Sequence, residues 1–278
     1  MTPRAEHPFG TVNQLIQLED NFLELVGVGN LSLIPEHNRE EFSFGAFNRD
    51  YLSEREGFSM IALKSNDWKK DRDRLSAAGV DLSAPFEFSR EARQPDGKLE
   101  TMGFKLSFIG TKRNPKLKFF TCNHLHQRDL FFKKEFKIHK NTAYKIDEVM
   151  LIAEDPAEYQ KFFKRLVKEE NIQEISTELI ISSINEQYTI STPSDFLKRF
   201  PGANIPVSIG DMEGVGYRIL VQDIEITKEC LVSKGILFTE GDRKIWLDPY
   251  SNFGVLIEFA METCQSYKDK SNLNLFTS

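Results

Sequence analysis

The sequence is poor in the residues that usually announce a chemistry. Its 278 residues hold only three cysteines, Cys122, Cys230 and Cys264. They show neither a CxxC spacing nor an even count, so reduced thiols are expected rather than a disulfide framework. No apolar run is long enough to span a bilayer, and no charged leader with an apolar stretch opens the chain. A soluble, cytoplasmic protein without a membrane partner is the expectation. Basic blocks are missing too, and the net charge is −6, which argues against nucleic acid as a partner. Lys133-Lys134 and Lys161 to Lys168 read as solvated faces. No glycine-rich phosphate loop, GxSxG elbow or HExxH pair occurs.

What the chain does have is a repeated pattern. The residues Gly57 to Asp67 read as a strand ending at an aspartate, followed by a helix from Trp68 to Ala78 that Gly79 stops. Ile146 to Asp155 repeats the design, with Asp155 as helix cap and Pro156 at the first helical position. Gly216 to Asp223, a helix to Ser233 and the stop at Gly235 make a third copy. Further strands follow each copy: Phe86 to Arg93, Lys98 to Ile109 and Lys118 to Cys122 after the first, Glu178 to Ile184 and Glu186 to Ser191 after the second. Ile236 to Thr239, Arg243 to Leu247 and Phe253 to Phe259 follow the last. A fixed supersecondary pattern points to β-α-β-β-β modules, hence an α+β fold in two tandem pairs, residues 1–140 and 141–278. A structured insert from Ser194 to Pro206 precedes the last module. The opening hairpin, Asn13 to Leu18 and Phe22 to Val28, holds the place of the strand pair that ends a module. On that reading the first module lacks its initial strand and helix, so the natural chain is expected to carry roughly 25 to 35 further residues. An exposed sheet edge of this kind would also let the chain pair as a homodimer.

The last strand, Asp248-Pro249 through Ile257-Glu258-Phe259, resembles the vicinal oxygen chelate superfamily, which includes glyoxalase I, extradiol dioxygenases and bleomycin-resistance proteins. His7-Pro8-x-Gly10-Thr11-x-Asn13, Phe22-Leu23-Glu24-Leu25, Phe88-Ser89-Arg90 and Pro95-Asp96-Gly97 are similar to the bacterial glyoxalase-like domain proteins. The resemblance implies that each module pair curls into a cup. A divalent metal (Mn, Fe, Ni or Zn) would sit inside, held by His, Gln or Glu on the first and last strands. Carried over residue by residue, it assigns Glu24 to the end strand of the first cup, with His124 and His126 at the end of the second module. In the second cup it assigns Glu148 and Glu258, with Tyr217 facing the same concavity. Phe58, Ser59 and Met60 offer no good ligand.

The residues themselves leave alternatives open. Glu24 alternates with Leu23 and Leu25, so it faces either solvent or the concave side, and the family likeness favours the cup. In the cup it would be a metal ligand or a general base. His7 is either a pocket residue with a catalytic part or a loop residue, and Asn13 either an inward hydrogen-bonding group or a surface one. His124 and His126, two apart, chelate one ion or sit at a strand end. Cys122 reads as a small buried side chain against the ligand rather than as a nucleophile. Two functions follow: a glyoxalase-like protein binding a small oxygen-rich molecule, with metal-assisted isomerase, lyase or dioxygenase chemistry, or a metal-free binding or sequestering module.

Overall fold

A computed structural model describes residues 1–37, 41–110, 116–167, 171–175, 177–183, 186–205 and 211–262. Cys264, the loop 111–115 and the segment ends at 184 and 206 lie outside the described residues. The fold is α+β with curved, unclosed sheets. Two compact units form, one of Met1–Gln17 with Phe22–Lys137, the other of Leu18–Asn21 with Ile138–Ser278.

The first unit opens with β1 (Ala5–Glu6), β2 (Thr11–Gln17) and β3 (Phe22–Val28), a three-stranded antiparallel sheet. Helix α1 (Phe44–Glu54) follows, started by Ser43, whose side chain accepts from Ala46 N–H. No cap-and-repeat pattern in the sequence announces this helix. Then come β4 (Met60–Ser65), α2 (Trp68–Ala77), β5 (Asp81–Leu82), β6 (Phe86–Arg93), β7 (Leu99–Gly110) and β8 (Lys118–His124). Asp67 caps α2 by accepting from Lys70 N–H, and Gly79 closes it in the left-handed region at φ 72°, where a residue without a β-carbon is favoured. β4 runs parallel to β8, and β7 pairs antiparallel with β8, β6 and β5. Two short helical turns, α3 (Arg128–Phe131) and α4 (Lys134–Lys137), end the unit. Phe9, Leu15, Phe44, Phe104, Phe108 and Phe131 belong to one buried cluster that joins both sheets and α1.

The second unit is one eight-stranded sheet. It contains β9 (Ala143–Ile152), α5 (Gln160–Leu166), β10 (Ile172–Ile175), β11 (Glu178–Ser182), β12 (Gln187–Ser191) and α6 (Pro193–Arg199). After these come β13 (Glu213–Val221), α7 (Ile224–Val232), β14 (Thr239–Gly241), β15 (Lys244–Leu247) and β16 (Leu256–Ala260). Two strand-helix-strand-strand-strand runs therefore meet along β9 and β13, which pair antiparallel, while each pairs parallel with the last strand of its own run. Asp155 and Asp223 cap the helical turns that follow β9 and β13. Helix α6 comes from the segment between the two runs, and its Phe196, with Phe200 just beyond it, packs into a buried cluster with Met150, Val215, Trp246 and Leu256.

One register detail differs from the sequence reading. Arg218, not Tyr217, stands opposite both Glu148 on β9 and Glu258 on β16, and Tyr217 stands opposite Val149 and Ile257. Side chains alternate along a strand, so a one-residue difference moves a side chain to the other face.

Candidate functional site

The family motif near the start of unit 1 has a physical basis in one turn. His7 N–H donates to Thr11 O and Gly10 N–H to His7 O. Gly10 sits at φ +84°, and a β-carbon there would stand 2.5 Å from Asn30 O, so only glycine fits. The turn feeds β2 and holds His7 Nδ1 2.7 Å from Thr11 Oγ1. His7 is buried, stacks on Phe9 at 4.9 Å and meets Phe44 and Phe88 edge-on. Burial, aided by the charge of Arg90, lowers its pKa to about 3, so the ring is neutral at ordinary pH.

Along β2 and β3, period two sets which groups face inward. Leu15 lies opposite Glu24 and Asn13 opposite Val26, so Asn13, Leu15, Phe22 and Glu24 share one face. Leu23 and Leu25 take the other, and Leu25 is exposed. The inward face of β2 and β3, with the inward faces of β6, β7 and β8, encloses a cavity of about 50 Å³. Its wall is largely aromatic, with Phe88, Phe104, Phe120 and Phe131 among the rings, and its polar members are His7, Asn13, Glu24, Arg90, Cys122 and His124.

Asn13 Nδ2 donates to Glu24 Oε1 at 2.6 Å. Burial nevertheless raises the Glu24 pKa, because the Asn13 bond and the Arg90 charge offset the lost hydration only in part. Asn13 Oδ1 is buried without a hydrogen-bond partner. Arg90 is only 9% exposed. Its Nη1 donates to Glu91 O at 3.4 Å, its guanidinium lies over Phe104 at 5.7 Å, and its Nε is buried without a hydrogen-bond partner. Burial lowers the Arg90 pKa and the Glu24 charge works the other way; an arginine keeps its charge throughout. Cys122 has its thiol pushed well up by burial and then by Glu24, which suits an inert lining group rather than a nucleophile.

His124 also faces the cavity, with its pKa lowered to about 4, first by burial and then by the charges of His126, Lys64, Arg128 and Arg90. His126 does not belong to the cavity wall. Its ring centroid is 5.0 Å from that of His124, its Nδ1 is 3.1 Å from Gly103 O, and its Nε2 is buried without a hydrogen-bond partner. Among the described residues, no three His, Cys, Asp or Glu side chains gather as a metal site would require. Glu24 and His124 therefore share a cavity, yet the donors present do not fit a divalent ion.

Unit 2 arranges its two buried glutamates differently. Glu148 is 2% and Glu258 1% exposed. Arg199, the last residue of α6, donates from Nη1 and Nη2 to both oxygens of Glu148 at 2.7 Å, and from Nη2 to Glu258 Oε2 at 2.7 Å. Arg218 Nη1 lies 3.0 Å from Glu148 Oε2, and Lys244 Nζ lies 3.1 Å from Glu258 Oε1. Thr189 Oγ1 donates to Glu148 at 2.7 Å. Burial acts to raise the Glu148 pKa, but the bonds and charge of Arg199, with Arg218 and Thr189, more than reverse it, leaving it lowered. A guanidinium thus occupies the space between the two carboxylates.

Sequence reading named neither Arg90 as a site residue nor Arg199, Arg218 and Lys244 as partners of the glutamates. Arg90 had a readable signal: Phe86, Phe88 and Arg90 alternate along β6, and the first two face the core. Arg199 had none, since its contacts come from residues 51 and 59 positions away.

Residues 1–167 match a family model described as a glyoxalase-like domain. Among solved structures, a hypothetical protein from Staphylococcus aureus aligns at a TM-score of 0.62 and 14% identity, over 94% of this chain and 91% of that one. A mutant 4-hydroxymandelate synthase from Streptomyces coelicolor aligns at 0.52 and 12% identity, over 97% and 88%. At these identities the likeness is one of fold. No curated protein matches the sequence.

Proposed function

The chain belongs to the glyoxalase-like domain family of the vicinal oxygen chelate superfamily, and from that footing we propose that unit 1 binds a small oxygen-bearing molecule and moves a proton on it through Glu24. One observation carries the reading: a carboxyl group held by Asn13 inside an aromatic cavity, with its pKa raised by burial. A carboxylate tuned upward is a better proton acceptor near neutral pH than one in water, and in its protonated form a usable acid. Asn13 positions the carboxyl, the rings exclude water, and neutral His7 and His124 supply hydrogen-bonding groups without adding charge. The reaction class is proton abstraction beside a carbonyl or carboxyl, as an isomerase or epimerase performs. Among the described residues no three donors gather as a metal site would require, so no step is routed through one. The same donor set also favours a second reading, in which the cup binds or sequesters its ligand without turning it over.

Deuterium exchange separates the two. Small oxo-acids and hydroxy-acids are incubated with the full chain in deuterated water and followed by proton NMR. The expected result is exchange of a carbon-bound proton in at least one of them, slowed roughly 10²-fold or more by Glu24→Gln with binding retained, the typical contribution of a general base. Binding without exchange in both proteins supports the sequestering reading. Equal exchange in both removes Glu24 from the chemistry.

A further inference from the structure

The cavity beside Glu24 is too small to be the whole site. A volume of about 50 Å³ holds on the order of four waters, or a group of a few heavy atoms, whereas pockets for metabolite-sized ligands run to roughly 300–1,000 Å³. A cleft of about 780 Å³ adjoins it in the same unit. His7, Leu15, Arg90 and Phe131 line both spaces, so these four side chains form the boundary between them. The cleft's charged residues are uneven: Arg4, Arg90, Arg93 and Lys133 against Glu6 and Glu91. At the junction stands Arg90, buried, with its Nε–H lacking an acceptor. A buried charged donor left unpaired has lost its hydration without compensation, and an anionic oxygen arriving from the cleft would relieve it with a charge-assisted bond.

We propose that the ligand is an extended anionic molecule: a small uncharged group enters the aromatic cavity beside Glu24, a carboxylate or phosphate pairs with Arg90 at the junction, and the remaining chain lies in the cleft. The proposal rests on unit 1 being the binding site and adds the ligand's length, charge and orientation. It makes Arg90 a specificity residue rather than part of the core. The aromatic wall selects against a second charge at the inner end, because the cavity offers only the Arg90 cation.

Titration calorimetry on the full chain tests this with propanoate, octanoate, octyl phosphate and 1-octanol as probes. Octanoate or octyl phosphate is expected to bind at least tenfold tighter than either propanoate or 1-octanol, and whichever of the two wins identifies the anion. Arg90→Gln should abolish the preference for an anion over 1-octanol. Thr101→Trp, which fills the cleft away from the cavity, should remove the gain from chain length while leaving propanoate unchanged. Because Arg90 is buried, Arg4→Glu on the cleft surface serves as the variant that leaves the core intact, and it should weaken octanoate severalfold. Equal affinities for propanoate and octanoate, with Thr101→Trp neutral, overturn the extended ligand while the cavity reading stands. Binding of 1-octanol as tight as octanoate overturns the role of Arg90. If none of the four binds and Glu24→Gln leaves deuterium exchange unaffected, the site reading falls with the proposal.

Discussion

Both units bury carboxylates on the packed face of a curved sheet, and they treat them in opposite ways. In unit 2, Glu148 and Glu258 meet Arg199, Arg218 and Lys244, and the Phe200 ring of the inserted segment lies against Arg199 and Lys244. Each charge has a partner from within the unit. In unit 1, Glu24 has one amide donor, and Arg90 feels its charge but shares no hydrogen bond with it. The space beside Glu24 is a cavity, to whose wall Phe44 of α1 contributes a ring but no charged group. The same fold therefore yields one cup whose polar groups are spent on each other and one whose polar groups remain available. Availability is what a binding site needs, and it is expensive in stability.

The largest test of that contrast is the loss of Arg199. Removing one partner of a buried ion pair leaves its mate uncompensated, at a cost of about 3–5 kcal/mol. Arg199→Ala should therefore destabilise unit 2 by that order. The chain has two tryptophans, Trp68 in unit 1 and Trp246 beside Phe200 in unit 2. Urea unfolding of a Trp68→Phe background, read by Trp246 fluorescence, isolates unit 2. A loss below about 1 kcal/mol would mean that the network is ornamental.

Acid should sharpen the contrast by a smaller amount. His7 and His124 have pKa values of about 3 and about 4 when folded, against about 6.5 unfolded. The unfolded chain then binds more protons, so unit 1 loses stability as pH falls below about 6.5, by up to roughly 4 kcal/mol at pH 5 for the two rings together before the opposing effect of Glu24. Glu24 opposes this, since a raised carboxyl pKa favours the folded state as pH falls through it, so the Glu24→Gln background shows the histidine effect cleanly. In unit 2 the lowered Glu148 pKa contributes stability that is present above the ordinary carboxylate range and lost only as pH drops below it. Between pH 7 and 5, Trp68 fluorescence in a Trp246→Phe chain should report a weakening unit 1, and Trp246 in the Trp68→Phe chain a steadier unit 2. The reverse order would contradict the burial of His7 and His124 as neutral rings.

The smallest effect is expected where sequence logic would place a large one. Glu24→Gln keeps the shape and removes a charge that burial disfavours, so unit 1 should be stabilised or changed by less than about 1 kcal/mol at pH 7. Glu148→Gln, by contrast, should cost several times more. Similar costs at the two positions would erase the distinction between the cups.

Much of this is legible in the sequence. Aspartate caps, glycine stops and alternating strands announced the strand-helix-strand units, because these signals act within a few residues. Glu24 between two leucines carried its facing in its own alternation, though not which face was enclosed. Helix α1 escaped because its buried positions, Phe44, Ala46, Asn48 and Tyr51, lack a regular apolar repeat. Arg218 was displaced by one residue because strand register depends on the partner strand. Arg199 was invisible because only tertiary folding carries α6 across Glu148 and Glu258.

The most direct measurement is a carbon-13 NMR titration of the glutamate side-chain carboxyls, with Glu24 and Glu148 assigned through their Gln variants. The account predicts that Glu24 titrates above the usual glutamate value and Glu148 below it, in the same sample. Addition of octanoate should shift the Glu24 resonance and leave Glu148 where it was. If Glu24 titrates at or below the ordinary value, or if octanoate moves Glu148 instead, the available cup is not in unit 1.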